Sequence, residues 1–485
     1  MSPYGANIIM GPTEQVEIEF IRSATEMDSK VCPNADIREW VIQKNREVVT
    51  VVNQLPLDRL RNWRVDPTTG NISHETGRFF SVEGIRVKTD WGTVAEWDQP
   101  IINQPEIGFL GLLGKKFHGV LHFLMQAKIE PGNINTVQIS PTVQATKSNY
   151  MQVHKGKRPL FLEYFNGEKQ VNYLLDQLQS EQGARFLKKR NRNIIVEIAE
   201  GELISEHENF TWMTIGQLKQ LMREDNIVNM DTRTVLSGIG YGSYITNASQ
   251  SLLALNLGRG RHRLMLNSAL NSTDCLHDFR YIISWITKLK SKYELNVEKV
   301  ALNQARNWKY EDGEIRHVDR KYFSVIGVNV QIDNREVVSW DQPMIEPAQE
   351  GLIGFIVKPI NGVYHFLLQA KLEAGNFDII ELAPTVQCLT GNYRTGLNEY
   401  SVKYISEVLT APAENIMYSA MQSEEGGRFF KEQNRNVIVE VGDEFPLEVD
   451  DKYCWMTLNQ ILKLIEFNNY LNIAARSLIS AITYA

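Results

Sequence analysis

The chain has 485 residues, of which 43% are hydrophobic and 22% charged, and its formal net charge is −7. The length predicts about two to four domains, and an acidic balance without a long basic stripe argues against nucleic acid as a partner. Four scattered cysteines exclude a disulfide framework, and no apolar run reaches the roughly 20 residues of a membrane span. The first 30 residues lack the apolar stretch of a signal peptide, so we expect a cytoplasmic protein that contacts neither nucleic acid nor membranes.

Hydrophobic spacing and turn residues predict the elements in chain order. A first helix is expected over 35–54, with a counterpart over 276–293, because Trp, Ile and Val recur there at helical spacing. A helix rich in Leu and Gln is expected over 170–182, and another over 215–224 with Thr214 as its N-cap. Alternating runs predict strands over 79–88, 119–129, 135–140 and 193–198. This mixed order predicts an α+β fold whose largely antiparallel sheet is flanked by helices.

Most of the chain repeats itself once. Arg61-Asn62-Trp63 returns 245 residues later as Arg306-Asn307-Trp308, and beyond the next loop the offset becomes 243. Blocks that return at the second offset include Trp97-Asp98-Gln99-Pro100, His122-Phe123-Leu124 and Pro141-Thr142-Val143-Gln144. A period of this length suits a whole domain rather than a solenoid repeat. We therefore predict a tandem duplication, with domains at 30–240 and 275–485 joined by a connecting segment at 241–274.

One predicted strand of each copy carries a distinctive polar face. Alternation places every second residue on the same side of a strand, which can be a solvated face or the lining of a cavity. Identical residues occupy this face in both copies, and we therefore expect it to line a cavity. The face holds His122, Leu124, Gln126, Lys128 and Glu130 in the first copy, and His365, Leu367, Gln369, Lys371 and Glu373 in the second.

Two pairs of loops carry further candidate binding residues. Asn149 and Tyr150, with Tyr393 in the second copy, follow the Pro-Thr-Val-Gln blocks closely, where a tyrosine could stack on a base or simply pack. The segments 180–186 and 423–429 run from acidic residues through glycines to an arginine. Arginine suits bidentate contact with phosphate oxygens.

Motifs for several other kinds of chemistry are missing from the sequence. It has no phosphate-binding glycine loop, dinucleotide-binding loop, serine-nucleophile elbow or zinc-protease helix. His118 and His122 have a spacing that could hold a metal, but the second copy has Asn361 in place of His118. We therefore expect neither a redox cofactor nor a resident metal.

Several long motifs resemble the NDP-hexose 2,3-dehydratases of deoxysugar biosynthesis. The resemblance covers nearly the whole chain, and it is carried by Gly77-Arg78-Phe79-Phe80-Ser81-Val82-Glu83-Gly84, Trp97 to Ile102, Leu121 to Lys128 with Glu130-Pro131-Gly132-Asn133, Ser140 to Thr146, Ser148 to Tyr150, and Ser423 to Phe429. It implies a lyase that removes water across C2 and C3 of dTDP-4-keto-6-deoxy-D-glucose. The product would be a 3,4-diketo-2,6-dideoxy sugar for a downstream NAD(P)H-dependent 3-ketoreductase.

The resemblance also implies a fold and an assembly. The family resembles tandem Nudix-like domains assembled as homodimers, without a redox cofactor. The Nudix metal helix requires R-E-x-x-E-E-x-G, but the chain has Ala420 and Met421 at the first two positions of the best match. Pyrophosphate hydrolysis of an NDP-sugar by a Nudix-type mechanism is therefore disfavoured, though it remains an alternative, as does a catalytically silent nucleotide-sugar binding protein.

The dehydration assigns hypothetical roles to the candidates. His122 or Glu130 would serve as base and acid, with Lys128 or Gln126 as donor to the ketone, and the second copy offers the matching set. Arg185 or Arg428 would bind the diphosphate, and Trp and Tyr would hold the thymine. The full set of substrate-binding candidates is Gln126, Gln144, Asn149, Tyr150, Arg185, Trp63, Gln369, Gln387, Tyr393, Glu424, Arg428 and Trp308. The sequence leaves open which copy is active.

Overall fold

Two halves of the chain fold into the same order of elements in the computed structural model, which describes residues 13–146, 158–242, 260–270, 273–333, 337–390 and 402–484. We call residues 13–242 the first half and residues 260–484 the second half. Each half begins with two helices, continues through two sheets and ends with two short helices. The helices are Thr13–Thr25 (α1), Asn34–Glu47 (α2), Ile215–Leu221 (α3) and Met230–Leu236 (α4), then Arg261–Leu270 (α5), Phe279–Lys292 (α6), Ile405–Leu409 (α7), Leu458–Ile465 (α8) and Ile473–Ser480 (α9).

The strands of the first half match those of the second one for one. Those of the first half are Thr50–Leu55 (β1), Trp63–Val65 (β2), Ile72–His74 (β3), Ser81–Thr89 (β4), Glu96–Asn103 (β5), Gly108–Phe117 (β6), Val120–Ile129 (β7), Val137–Ser140 (β8), Val143–Ala145 (β9), Asn172–Ser180 (β10), Arg190–Glu197 (β11) and Phe210–Met213 (β12). Those of the second half are Leu295–Val300 (β13), Trp308–Glu311 (β14), Glu314–His317 (β15), Phe323–Ile332 (β16), Ser339–Pro347 (β17), Gly351–Ile360 (β18), Val363–Lys371 (β19), Glu381–Ala383 (β20), Val386–Leu389 (β21), Ile416–Ser423 (β22), Gln433–Glu440 (β23) and Tyr453–Thr457 (β24).

Within the described residues, each half has one seven-stranded sheet. In the first half its path is β10-β11-β6-β7-β12, with β8 beside β7 and β9 beside β6, and the second half repeats this order. The β6–β11 and β18–β23 pairs are parallel and the other pairs antiparallel. The α+β fold with mostly antiparallel sheets is therefore confirmed.

The two halves exchange a strand with each other. Strand β1 of the first half pairs with β16, and β13 of the second half pairs with β4, so each five-stranded sheet holds one strand from the other half. Glycines at matching positions permit the close approach, because a Cβ on Gly84 would lie 2.8 Å from the Val300 oxygen, and one on Gly327 would lie 2.5 Å from the Leu55 oxygen. The halves are thus interlocked rather than merely adjacent.

An apolar core runs through both halves. The inner faces of the seven-stranded sheets, with Phe123 and Phe366 fully buried, pack against α1, α3, α5 and α8. A second core lies between the two exchanged sheets and contains Trp63, Trp308 and Phe80. No helix among the described residues has the length and apolar character needed to cross a bilayer.

Most of the predicted elements are present, with shifted ends. The strands predicted at 79–88, 119–129, 135–140 and 193–198 are β4, β7, β8 and β11. Thr214 caps α3, and its side chain accepts from the Gln217 amide in a capping box. The helix predicted over 35–54 ends at Glu47, and the β-branched run after it forms β1 instead.

The helix predicted over 170–182 is wrong, because this segment is strand β10. A bulge between Tyr173 and Leu175 inserts an extra residue and breaks the two-residue alternation. Apolar residues then fall at the three- and four-residue spacing that is typical of a helix, and the second half has the equivalent bulge between Ile416 and Tyr418.

The segment predicted to connect the two domains contains helix α5. This helix occupies in the second half the place of α1 in the first. The Ser23 hydroxyl donates to the Leu121 carbonyl, and the Ser268 hydroxyl donates to the Tyr364 carbonyl at the same position of the repeat.

Candidate functional site

Lys128 and Glu130 meet other polar groups where β7 ends. Both are buried, with exposures of 8% and 6%, and Lys128 Nζ lies 3.7 Å from Glu130 Oε1. Gln144 on β9 donates its Nε2 to the same oxygen at 2.9 Å, and Lys128 Nζ donates to the Gln144 carbonyl at 3.4 Å. The sheet thus holds a lysine, a glutamate and a glutamine in mutual contact.

The N-cap residue of a helix orients Gln144 through a hydrogen bond. Asn229 is the N-cap of α4, where its Oδ1 accepts from the Thr232 amide. Its Nδ2 donates to Gln144 Oε1 at 3.2 Å and to Ser140 Oγ at 2.9 Å. A hydrogen-bonded chain therefore runs from the helix cap through Gln144 to the Glu130 carboxyl.

The second half repeats this chain. Asn472, the N-cap of α9, donates to Gln387 Oε1 at 2.8 Å, and Gln387 Nε2 donates to Glu373 Oε1 at 3.2 Å. Lys371 Nζ donates to the Gln387 carbonyl at 3.2 Å. The structure thus brings together the predicted residues Lys128, Glu130 and Gln144 in one half and their counterparts in the other.

Each cluster is completed by a loop from the opposite half. The Gly132 amide donates to the Gly426 carbonyl at 2.8 Å, and the Gly375 amide donates to the Gly183 carbonyl at 2.7 Å. A Cβ on Gly426 would lie 2.1 Å from Asn133 Oδ1, so the approach requires a glycine. The repeated glycines of segments 180–186 and 423–429 therefore serve contact between the halves.

Each of these loops places an arginine near the buried glutamate of the opposite half. Arg428 is half-buried, its guanidinium lies 4.2 Å from the centre of the Phe80 ring, and it interacts electrostatically with Glu130 and Glu425. Arg185 mirrors it, 4.2 Å from the Phe323 ring, and interacts with Glu373. Both predicted arginines thus face a site built mainly by the other half.

We define the first cluster as Lys128, Glu130, Gln144, Asn229, Asp231, Glu425 and Arg428, and the second cluster as Lys371, Glu373, Gln387, Asn472, Ala474, Gln182 and Arg185. The two differ in their acidic groups. Ala474 stands where the first cluster has Asp231, and Gln182 stands where it has Glu425. The first cluster therefore holds two carboxyl groups that the second lacks.

Burial disfavours the charged form of these two extra carboxyls. It raises the pKa of Asp231 well above its usual range, and nearby Glu425, Glu181 and Glu130 raise it further. Burial and Glu130 together raise the pKa of Glu425 to about 8, although Arg428 acts in the opposite direction. Both carboxyls therefore favour the protonated form more than an exposed carboxyl does.

Next to the second cluster, Glu424 occupies a different environment from its counterpart Glu181. Its Oε2 accepts from Gln182 Nε2 at 2.7 Å, and burial together with Glu432 raises its pKa to about 8. The residue equivalent to Glu432 in the first half is Lys189, whose pKa is lowered by burial to about 8. The first half thus has a basic residue at this position and the second half an acidic one.

The two predicted catalytic histidines lie elsewhere. His122 Nε2 is 2.6 Å from Ser29 Oγ and its Nδ1 is 2.8 Å from the Val120 oxygen, while His365 accepts from the Leu276 amide at 2.9 Å. Burial lowers the pKa of both, that of His365 to about 4. Six residues of strand, or about 20 Å, separate His122 from Lys128. The structure gives these histidines contacts to the loop before α2 and α6 and does not bring them to the clusters.

The remaining candidates are scattered. Gln126 is half-buried on β7 opposite Ser140, and Gln369 donates to the Pro384 carbonyl at 2.8 Å. Trp63 and Trp308 lie in the core between the exchanged sheets, 9% and 8% exposed. The predicted residues Asn149, Tyr150 and Tyr393 lie outside the described part of the chain.

Sequence reasoning missed Asn229, Asp231 and Glu425. The pair Asn229 and Asn472 repeats at the same offset as the other motifs and precedes a helix in both halves, which is the position of an N-cap. That repetition could have indicated the two asparagines. Asp231 has no counterpart in the second half, so a search for repeated residues could not find it.

Comparisons with known proteins cover almost the whole chain. The sequence model of the NDP-hexose 2,3-dehydratase family matches residues 34–239 and 279–482. Among similar proteins, the dTDP-4-dehydro-6-deoxy-alpha-D-glucopyranose 2,3-dehydratase of Saccharopolyspora spinosa is 43% identical over 96% of this chain and 94% of its own length. The proteins of that name from Streptomyces violaceoruber and Amycolatopsis orientalis are 40% and 38% identical, over 93% and 96% of this chain and 98% and 93% of their own lengths. The chain belongs to the NDP-hexose 2,3-dehydratase family.

Proposed function

We propose that the chain removes water across C2 and C3 of dTDP-4-keto-6-deoxy-D-glucose, and that the reaction takes place at the first cluster. One observation carries the proposal. A buried ammonium and a buried carboxylate lie 3.7 Å apart at the end of β7, beside an arginine from the opposite half. This is the set of groups that a sugar with a ketone and a diphosphate requires. The family and the names of the relatives support the same reaction.

Removal of the C3 proton is the first demand of the chemistry. The C4 ketone acidifies this proton, and a positioned carboxylate can accept it. The chain from Asn229 through Gln144 holds the Glu130 carboxyl in one orientation, so we assign Glu130 as the base. Such a group typically contributes about 10²- to 10⁴-fold to the rate.

Charge then develops on the ketone oxygen. A buried donor aimed at this oxygen stabilises the enolate, and its effect is larger where water is excluded. Lys128 is 8% exposed and lies beside Glu130, so we assign it as that donor. Arg428 interacts electrostatically with Glu130 and is suited to the diphosphate, because its guanidinium can make two parallel hydrogen bonds.

The test is an assay with dTDP-4-keto-6-deoxyglucose. We expect the loss of one water from the substrate, and one deuterium at C2 of the product when the reaction runs in D₂O. The competing hydrolase would release a nucleoside monophosphate in the presence of Mg²⁺. An unchanged substrate, with an active relative as the control, would contradict the proposed function.

A Nudix-type hydrolase is the weaker alternative for a structural reason as well. The segment compared with the Nudix metal helix lies on strand β22 and the loop after it, and the residues at its first two positions are Ala420 and Met421. The expectations of Nudix-like domains, of a homodimer and of a downstream NAD(P)H-dependent 3-ketoreductase rest on the resemblance to the family. All three are part of this proposal.

A further inference from the structure

The dehydration leaves one proton transfer without a residue. The hydroxyl on C2 is a poor leaving group unless an acid protonates it as it departs. His122, which the sequence offered for this role, is hydrogen-bonded to Ser29 about 20 Å along the strand from Lys128. In the first cluster, Asp231 and Glu425 are buried carboxyls whose surroundings favour the protonated form.

We propose that Asp231 is the acid that protonates the departing C2 hydroxyl, and that Glu425 from the opposite half keeps the proton on it. This inference rests on the proposed function, because it assigns the second proton transfer of that reaction. It adds a residue that has no counterpart in the repeat, and a contribution from both halves to a single step.

Position is the first support for the assignment. Asp231 lies in the first turn of α4, two residues after the cap Asn229 whose side chain reaches Gln144 and through it Glu130. Asp231 is 3% exposed. The same helix end therefore carries both the group that orients the base and the group that we assign as the acid.

The charges around Asp231 supply the second support. Carboxyl groups at Glu425, Glu181 and Glu130 face it, and the cations that interact with it are Lys128 and the buried Arg233. Burial and the three carboxyls together raise the pKa of Asp231 and so favour its protonated form. Glu130 instead accepts a hydrogen bond from Gln144 Nε2 and lies 3.7 Å from Lys128 Nζ. Two carboxyls with opposite environments are the arrangement expected for an acid and a base.

The second cluster lacks this acid, which is the third support. It keeps the lysine, glutamate, glutamine, asparagine and arginine, but it has Ala474 and Gln182 where the first has Asp231 and Glu425. The two differences between the clusters thus fall on the pair that handles this proton. The second cluster has the groups to bind a nucleotide sugar but not to complete the elimination.

The step balances in protons and electrons. Glu130 takes the C3 proton, and the electron pair of that C–H bond forms an enolate with the C4 oxygen. The enolate collapses to restore the C4 ketone, a C2–C3 double bond forms, and the C2–O bond breaks. The departing oxygen takes the proton of Asp231 and leaves as water. The resulting enol gains a proton at C2 and loses one from its C3 hydroxyl to give the 3,4-diketone.

The experiment separates the two proton transfers in D₂O. Asp231→Asn should lower the rate of water loss by about 10²- to 10⁴-fold, yet recovered substrate should gain one deuterium at C3, because the base is intact. Glu130→Gln should lower both water loss and exchange by about 10²- to 10⁴-fold. Asp231→Ala copies the residue of the second half, which the fold accommodates there, and should behave as Asp231→Asn does. Binding of dTDP by each variant shows that the site is folded.

The results distinguish the inference from the function on which it rests. If Asp231→Asn dehydrates at a rate near wild type, or binds dTDP but loses C3 exchange as well, the assignment of the acid is overturned while the dehydratase function stands. If the wild-type protein loses no water from the substrate, the function itself fails.

A pH profile tests the part played by Glu425. The rate of water loss should fall as pH rises through the range where Asp231 loses its proton. Glu425 becomes negatively charged as the pH rises past about 8, and this charge opposes the ionisation of Asp231. Glu425→Gln removes that charge and should move the fall in rate to lower pH. Glu381→Gln is the matched control, since it neutralises a buried carboxyl that is hydrogen-bonded to Ser180 and lies outside both clusters. A Glu425→Gln profile that superimposes on the wild-type profile would overturn the role of Glu425.

Discussion

The first and second clusters share a frame and differ in their proton-handling groups. In both, an asparagine helix cap holds a glutamine that holds a glutamate beside a lysine. The differences are Asp231 against Ala474 and Glu425 against Gln182. In our proposal the shared frame orients a polar site, and the elimination depends on Asp231 and Glu425, which the second cluster lacks. Substitutions made in one cluster at a time test this difference.

The largest expected effect compares the two glutamates. Glu130→Gln should lower kcat by about 10²- to 10⁴-fold, because it removes the base and leaves its hydrogen-bonding geometry nearly unchanged. Glu373→Gln, the same change in the second cluster, should lower kcat by less than tenfold. Steady-state assays of both variants check this. Equal losses would mean that both clusters carry out the reaction, which would contradict the assignment of the first cluster as the active one.

The two equivalent aspartates that join the halves, Asp98 and Asp341, have different hydrogen-bond partners. Asp98 receives hydrogen bonds from Arg306 of the opposite half and from Arg86 of its own, whereas Asp341 receives them from Arg61 and from Asn329. Burial acts to raise the pKa of Asp98, but the two arginines hold it well below its usual range. The Asp98 pair is therefore expected to stabilise the exchange of strands more than the Asp341 pair.

The second prediction follows from this inequality. Asp98→Asn should lower the free energy of unfolding by about 2 kcal/mol, because Arg86 and Arg306 both lose this buried carboxylate and are left with the more exposed Glu96. This is less than for a fully buried pair, since Arg306 is half-exposed. Asp341→Asn should cost about 1 kcal/mol, because one arginine loses its partner. Urea unfolding of the two variants side by side measures the difference, and equal losses would contradict it.

Much of the fold could be predicted from the sequence, and the exceptions have physical causes. The repeat is visible because whole blocks return, and β7 and Thr214 follow local rules of alternation and capping. The helix predicted over 170–182 failed because a bulge imitates helical spacing. The exchange of β1 and β13 could not be predicted, since a strand pairs equally well with a sheet of either half.

Part of the first cluster could also be predicted from the sequence. Lys128 and Glu130 lie at the end of β7, and Gln144 lies on β9 only 14 residues after Glu130, where its side chain contacts that carboxyl. The repeated pattern indicated all three. Alternation places His122 on the same strand face as Lys128, but it does not give the distance of about 20 Å along the strand that separates them. Asp231 and Glu425 come from distant parts of the chain, and the interlocking of the halves brings them together.

The third prediction uses the buried carboxyl Glu424. Burial and Glu432 raise its pKa to about 8, so the native state keeps a proton that the unfolded state loses near pH 4.5. Stability should therefore fall as pH rises from about 5 to about 8 and level off above that. Glu424→Gln cannot lose a proton there, and the fall should be smaller. Denaturant unfolding at pH 5, 6, 7 and 8 measures it, with the exposed Glu200→Gln as control. An identical slope in Glu424→Gln would contradict the prediction.

The smallest expected effect concerns the two tryptophans predicted to hold the thymine. Trp63 Nε1 donates to the Asp341 carbonyl at 2.7 Å, and Trp308 Nε1 donates to the Asp98 carbonyl at 2.8 Å, so both indoles join the halves. Trp63→Phe should cost about 1 kcal/mol of unfolding free energy for the lost hydrogen bond and leave the Kd for dTDP unchanged. Trp308→Phe should do the same, because the two contacts are alike although the clusters differ. Calorimetric titration with dTDP shows whether each indole binds the nucleotide or only joins the two halves. A higher Kd for dTDP in Trp63→Phe, without a change in Trp308→Phe, would show that the Trp63 indole binds the nucleotide. The two halves would then differ in the binding of the base as well as in Asp231 and Glu425.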